Sequence, residues 1–260
     1  MRRINQKQFL RIIKGEDLEF RISPFPFKLN EPLIIREAHL PYDLFFQDCK
    51  LDSLKFINCK FSGDLKLERT QIKSMTFESC QLHDFKINET DISSLEIKNG
   101  CEFKSLAIGD SAIDKIEVTD NPIYELIHLG CGNSIKTCYL LNNGDVSRNS
   151  FSTKVFLCPE RFDFIEIDGV ITDLLHVGTF GEYAQLKFKD IHAEIVLIEG
   201  CNSDLSKVNF ENISPLDKEA SALHFVNTAY DQELFGEKAF RDYSLTKIHH
   251  DTVNIEELFS

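Results

Sequence analysis

Large apolar residues recur along this chain in units of about ten residues, and within each unit one spacer separates two of them. Leu54 and Phe56 form one such pair, and Leu95 and Ile97 form another. This alternation is typical of a very short β-strand that buries one face. At twice the unit length, about 21 residues, like residues fall into columns. The columns are Leu54, Met75, Leu95 and Ile116; Phe56, Phe77, Ile97 and Val118; Phe61, Leu82, Phe103 and Ile123; and Ala38, Cys59, Cys80 and Cys101.

This periodicity predicts stacked coils. A single coil cannot bury its own apolar face, so the coils must stack and pair their backbones at about 4.8 Å per coil. The pattern predicts an all-β parallel β-solenoid over residues 33–213, with about eight or nine coils. Residues 128–154 are rich in Gly and Asn, which favours protruding loops.

Halving the ten-residue unit reveals a five-residue one, as in CQLHD-FKINE-TDISS-LEIKN over residues 80–99. This stretch resembles the pentapeptide-repeat proteins, closely over residues 33–125 and loosely over 160–213. The resemblance implies a square, right-handed coil of four repeats, with a central Leu or Phe and a small residue facing inward. Alternate repeats depart from the family by carrying Leu, Met, Phe or Ile at the small position. Because that family is functionally diverse, the resemblance predicts the fold and little about function.

The two ends of the chain differ from the repeat. Residues 1–32 are expected to form a short N-terminal cap, in which a helix within 4–14 places Phe9, Leu10, Ile12 and Ile13 over the first coil. A basic amphipathic membrane anchor is the alternative for that segment, although one such short segment binds weakly.

The tail, residues 214–260, is predicted to form a C-terminal α-helical pair. Ser214 and Pro215 suit the start of a helix, and apolar residues then recur at helical spacing. A second helix is expected over about 232–249. Four aromatic residues are the candidate interface, either packing within the chain or binding a partner or a second copy: Phe225, Phe235, Phe240 and Tyr243.

Charge and cysteine usage narrow the function classes. The net charge is −13, and the basic character is confined to residues 1–14, so we do not expect nucleic-acid binding. No apolar run approaches the ~18 residues that a membrane span needs, and we do not expect a membrane partner within this chain. Eight cysteines without a signal peptide or a CxxC pair predict a reduced, cytoplasmic location. The column of Cys59, Cys80 and Cys101 is linear, unlike a tetrahedral zinc site, so we interpret it as small buried residues.

No group of residues in the sequence converges as catalytic chemistry requires. His249, His250 and Asp251 are adjacent on a predicted helix and point apart. His128 and His176 border the loop-rich segment, but the histidines form no 21-residue column, so no shared wall site is expected. We therefore predict no catalytic residue, no cofactor and no metal site.

The leading hypothesis is a non-enzymatic scaffold or adaptor for protein–protein interaction or self-association through residues 214–260. One alternative is a glycan-active β-helix enzyme. It would use a carboxylate pair from the acidic turns: Asp163, Glu166, Asp168 and Asp173. The other is an acidic, DNA-mimicking inhibitor of a DNA-handling enzyme, which the net charge of −7 over residues 119–213 keeps open.

Overall fold

A parallel β-solenoid of about 9 coils forms the body of the chain. The computed structural model describes residues 1–17, 19–20, 24–144, 153–178, 182–199, 208–215, 221–226, 239–240 and 243–247. Nearly all the regular structure in these ranges is β-strand, as the repeat predicts.

The elements follow in chain order, ending with a strand in the tail. They are β1 (Arg2–Arg3), α1 (Gln6–Ile13), β2 (Phe27–Leu29), β3 (Leu33–Arg36), β4 (His39–Leu40), β5 (Leu44–Gln47), β6 (Lys50–Ile57), β7 (Lys60–Phe61), β8 (Leu65–Glu68), β9 (Gln71–Glu78), β10 (Gln81–Asn88), β11 (Asp91–Lys98), β12 (Glu102–Gly109), β13 (Ala112–Thr119), β14 (Ile123–Leu129), β15 (Ser134–Leu141), β16 (Lys154–Leu157), β17 (Arg161–Asp168), β18 (Ile171–Gly178), β19 (Glu182–Lys189), β20 (His192–Glu199), β21 (Val208–Glu211), β22 (Ala222–Val226) and β23 (Ser244–Lys247).

Each coil gives one strand to each of two parallel sheets. The first sheet runs β1-β2-β6-β9-β11-β13-β15-β17-β19-β21, with β3 also on β6. The second runs β23-β22-β20-β18-β16-β14-β12-β10-β7-β4, with β5 and β8 beside it. Successive strands of a sheet are therefore about one coil apart in the chain, which is why like residues stack.

Most strands of eight residues bend in the middle and so make two sides of a coil. In β9, Ile72, Met75 and Phe77 point inward and are buried, whereas Gln71 and Thr76 face outward. The inward residues of all coils form one continuous apolar core. Closing each coil in four short sides buries apolar residues from every direction.

The pairing register confirms the columns predicted from the 21-residue spacing, with one correction. Leu54 pairs with Met75, which pairs with Leu95. Phe103, however, pairs with Tyr124 rather than with Ile123. Pro122 adds one residue to the corner before β14, which shifts the inward position by one.

Residues in the left-handed backbone region form the corners. Asn58, Asn99 and Asp120 are examples, and the non-glycine residues of this kind have φ of 47° to 60°. Asn and Asp tolerate this region better than other non-glycine residues because their short side chains bond locally.

The small residue after each corner also supplies a hydrogen bond. The backbone N–H of Thr90 donates to Ser111 Oγ at 3.1 Å, and that of Ser111 donates to Asn133 Oδ1 at 3.0 Å. In the other column the N–H of Cys80 donates to Cys101 Sγ at 3.3 Å. The sequence interpretation of these columns as small and buried is confirmed, but the side-chain acceptor matters as well as the size.

The first coil is covered by α1. Asn5 caps the helix in a reciprocal capping box with Gln8. Phe9, Ile12 and Ile13 are buried, and the Phe9 ring lies 5.8 Å from that of Phe46 in the first coil. The helix expected within residues 4–14 is present.

The C-terminal helical pair is not confirmed. In the described part of the tail, β22 and β23 are strands that extend the second sheet, and β22 pairs in register with β20. The exposed edge of β20 offers unpaired backbone groups, which favour an added strand over the helix that apolar spacing alone suggests. The remaining tail residues lie outside the described residues.

Candidate functional site

A groove runs along the first sheet, at the side of each coil where its strand begins. There, two outward residues flank one inward residue, as Gln71 and Lys73 flank Ile72 in β9. The same triplet recurs in β2, β6, β11 and β13, so the outward side chains form two parallel walls. The cavity between them has a volume of about 620 Å³. Its five strands span about 19 Å at 4.8 Å per coil.

The walls of this first-sheet groove are polar and carry both signs of charge. One wall is Lys28, Lys50, Gln71, Asp91 and Ala112; the other is Asn30, Asp52, Lys73, Ser93 and Asp114. Lys73 Nζ lies 3.7 Å from Asp52, and Gln71 Nε2 donates to Asp91 at 3.5 Å. The floor is the strand backbone over inward leucine and isoleucine residues. The groove therefore suits an extended polar ligand.

The histidines are arranged differently from the sequence expectation. His128 pairs in register with Phe156, and Phe156 pairs with His176, on the outer face of the second sheet. Their rings contact in a row, with centroids 5.6 Å and 5.7 Å apart. Leu197 and His224 continue the same row. Two chain segments leave the coil between these strands, so residues that are not 21 apart still stack, and the expectation of no shared wall is wrong.

Within this histidine row, His176 is buried and has an acidic partner. His176 Nε2 lies 3.0 Å from Glu199 Oε2. Burial lowers the pKa of His176, although the Glu199 carboxylate opposes that effect. Burial also raises the pKa of the Cys158 thiol to about 11, so this thiol is protonated at neutral pH and is not an activated nucleophile.

The cysteine column is a set of stacked hydrogen bonds. Cys59, Cys80 and Cys101 are buried free thiols. The pKa of Cys80 is raised to about 11, first through its hydrogen bond with Cys101 and then through burial. Each sulfur also contacts the backbone carbonyl of a preceding residue, which holds the corner closed.

The described residues contain one cluster with metal-ligand chemistry: Asp64, His83 and Asp84, whose ligand atoms lie within 4.8 Å of one another. Lysines already neutralise it. Lys66 lies 3.7 Å from Asp64, and Lys86 lies 3.9 Å from Asp84. Burial opposes ionisation of Asp64, but the hydrogen bond from His83 and the neighbouring lysines hold its pKa below the usual range. The cluster is an ion-pair network on the surface.

Two of the four acidic residues considered for a glycan enzyme are already paired. Asp168 lies 3.7 Å from Lys189, and Asp173 accepts a hydrogen bond from the Thr153 backbone at 2.5 Å. Asp163 and Glu166 lie with Asp168 on β17 of the first sheet, whereas Asp173 lies on β18 of the second.

Two of the predicted interface aromatics lie against the solenoid. The Phe240 ring is 4.9 Å from that of Phe210, and the Tyr243 hydroxyl donates to the carbonyl of Ala193. Internal packing was one of the two roles expected for them, and binding of a partner stays a prediction. Phe225 belongs to β22, but its side chain, like Phe235 and residues 249–251, lies outside the described residues.

The groove is the feature that the sequence reasoning missed. Its first wall begins at Lys28, before the repeat starts at Leu33, and Lys28 is 22 residues before its stacking partner Lys50. That spacing is the signal that could have extended the repeat toward the N-terminus.

No family model, no curated protein and no solved structure matches this chain. No helix in the described part of the chain is both long and apolar enough to span a membrane.

Proposed function

We propose that the protein is a non-enzymatic scaffold that binds an extended segment of a partner polypeptide in the first-sheet groove. The observation that carries this proposal is a groove of about 620 Å³ that crosses five coils, with hydrogen-bonding and charged side chains on both walls. A polypeptide in extended form offers side chains and backbone groups along its whole length, which matches a groove of that shape better than a small, compact ligand does.

The rigidity of the walls supports this function. Every wall residue stands on a backbone that is paired on both sides with neighbouring coils, from β2 to β13. The hydrogen bonds of the small residues at the corners tie each coil to the next. A preformed groove loses little conformational entropy on binding, so even a polar contact can be selective.

Two finer assignments accompany the scaffold proposal. We propose that the solenoid is a divergent relative of the pentapeptide-repeat proteins, because two inward residues alternate with outward ones on each short side of the coil. We also propose a cytoplasmic location, which the buried free thiols support since a reducing compartment keeps them unpaired.

Site-specific photo-cross-linking in cells tests the scaffold proposal directly. A photoreactive amino acid at Ser93, on the groove wall, should trap one polypeptide. The matched control is the same amino acid at Gln81, an exposed position at the start of a second-sheet strand. Equal trapping at both positions, or none at Ser93, would contradict the proposal. Mass spectrometry of the trapped species identifies the partner and the segment that contacts the groove.

A further inference from the structure

Three basic residues stack in register at the N-terminal end of the first sheet. Arg3 pairs with Lys28, and Lys28 pairs with Lys50. At about 4.8 Å per coil, this basic ladder spans about 10 Å. Arg3 and Lys50 are exposed and Lys28 is half-buried. Lys28 and Lys50 are also the first members of the groove wall.

Stacked like charges repel and destabilise a sheet unless something neutralises them. Two other like-charge stacks in this protein are neutralised by the chain itself. Lys66 and Lys86 stack, and each has an aspartate, at 3.7 Å and 3.9 Å.

The acidic stack is treated in the same way. Glu96 and Glu117 stack, and each has a lysine, at 2.6 Å and 2.5 Å.

The basic ladder has no such partner. Among the described residues, no carboxylate oxygen lies within 4.0 Å of a cationic nitrogen of Arg3, Lys28 or Lys50. Asp52, two residues after Lys50 on the other wall, is engaged by Lys73 at 3.7 Å. The chain therefore keeps three uncompensated positive charges in a row at the entrance of the groove, although its net charge is −13.

Further along, the groove changes sign. Asp91 follows on the same wall, and Asp114 stands on the opposite wall. A uniformly anionic polymer that ran the length of the groove would meet these carboxylates and be repelled. A polypeptide can instead carry a short acidic stretch followed by basic residues, and so match both ends.

We propose that the basic ladder binds a short acidic stretch, about two or three carboxylates, in the partner polypeptide, with basic residues of the same segment lying toward Asp91 and Asp114. This inference rests on the proposed scaffold function and names the chemistry of its partner. Side chains on one face of an extended peptide are about 6.8 Å apart, so acidic residues at alternate positions reach along the ladder.

Fluorescence anisotropy with labelled synthetic peptides tests the ladder in the full-length protein. The probe has three Glu alternating with Ser, followed by three Lys alternating with Ser. The control peptide has the same composition with Glu and Lys interspersed. The block peptide should bind at least tenfold more tightly, and added salt should weaken its binding because both groups are exposed.

Charge reversal identifies the residues involved. Lys28→Glu together with Lys50→Glu should weaken binding of the block peptide at least tenfold, whereas Lys60→Glu, at an exposed position of the second sheet, should not. Unchanged affinity in the double variant would overturn the proposal. Tighter binding of inorganic polyphosphate or single-stranded DNA than of the block peptide would also overturn it, since the site would then be a general polyanion site.

Folding and function can be separated. Lys28→Gln removes one repelling charge, so its melting temperature should equal or exceed that of the wild type while block-peptide binding weakens. A lower melting temperature would show that Lys28 is structural, which would contradict the proposal. If Ser93 still cross-links a polypeptide and that trapping survives the double reversal, the groove function stands and the ladder proposal alone fails. If neither trapping nor peptide binding occurs, both fail.

Discussion

Adjacent asparagines at one corner of the solenoid have different roles. Asn142 adopts a left-handed backbone, with φ of 52°, and its side chain donates to Asp120 on the surface at 3.1 Å. Asn143 is buried, and its Nδ2 donates to the carbonyl of Val118 at 2.6 Å. Its Oδ1 accepts from the side chain of Asn121 at 3.1 Å. The first asparagine permits the turn, and the second satisfies backbone and side-chain groups that no water reaches.

Replacing Asn143 with Ala should therefore destabilise the fold. The change leaves the Val118 carbonyl and the Asn121 amide without partners in the core, which costs about 1–3 kcal/mol of unfolding free energy. Urea denaturation followed by circular dichroism measures it. Gln81→Ala, at an exposed site, should change the unfolding free energy by no more than about 0.5 kcal/mol. Equal effects of the two substitutions would refute the role of the buried ladder.

The buried histidine predicts a pH dependence of stability. The pKa of His176 is lowered in the folded state, above all by burial, relative to about 6.5 in the unfolded chain. Above pH 6.5 both states are neutral, and the stability is complete. As the pH falls below 6.5, the unfolded state takes up a proton first, so the unfolding free energy decreases, by at most about 1.4 kcal/mol per pH unit.

His176→Gln should flatten this dependence between pH 7.5 and 5.5, because glutamine takes up no proton. Urea unfolding at several pH values checks the slope. His39→Gln is the control, at an exposed histidine that bonds to Ser62 Oγ at 2.7 Å. A wild-type slope in His176→Gln would show that other groups control stability in this range.

At the scale of elements, the N-terminal helix works as a plug. Phe9 is fully buried, and its ring contacts Phe27 and Phe46 at 6.0 Å and 5.8 Å. Phe9→Ala should lower the unfolding free energy by about 3–5 kcal/mol. Loss of the plug should also expose the edge of the first coil, so the variant should self-associate.

Denaturation and light scattering measure the two effects of Phe9→Ala separately. Lys7→Ala, on the exposed side of the same helix, is the matched control and should leave both readouts near the wild-type values. A Phe9→Ala variant that is as stable and as monomeric as Lys7→Ala would show that the helix does not protect the first coil.

The helix at one end and the strands at the other show how far elements follow local sequence. The apolar residues of α1 and its capping box are local features, and the sequence predicted that helix. Leu223 also sits at helical spacing with its neighbours, yet it belongs to β22. In the tail the decisive factor is the open edge of β20, a tertiary feature with no local signature.

At the scale of the whole molecule, the solenoid should behave as a stack of interchangeable coils. Deletion of residues 81–101 removes one coil, places Cys80 where Cys101 was, and lets β13 stack on β9. Because inward and outward positions are kept, the shortened chain should fold as a monomer and unfold cooperatively. Circular dichroism and size-exclusion chromatography check this.

Deletion of Thr76 alone is the contrasting change. It moves the residues on one side of that position in β9 to the opposite face, which exposes core residues and buries polar ones. This single deletion should be far more damaging than the loss of 21 residues. If it is tolerated and the coil deletion is not, then register does not control the fold.

Sequence and tertiary structure thus determined different parts of this protein. The inward columns, the coil length and the corner residues were readable from the chain, because alternation, side-chain size and turn preference are local properties that repeat. The neighbours of outward residues were decided only by stacking. Pro122 moved Tyr124 into the place of Ile123, and segments that leave the coil brought His128 and His176 to either side of Phe156.

The groove and the basic ladder belong to the second category. Arg3, Lys28 and Lys50 are 25 and 22 residues apart, outside the regular repeat, and only the pairing of β1, β2 and β6 places their charges in one row. The physical reason is general for stacked coils. The number of residues in each corner or loop varies freely, whereas backbone hydrogen bonds between coils hold every strand in register with the next.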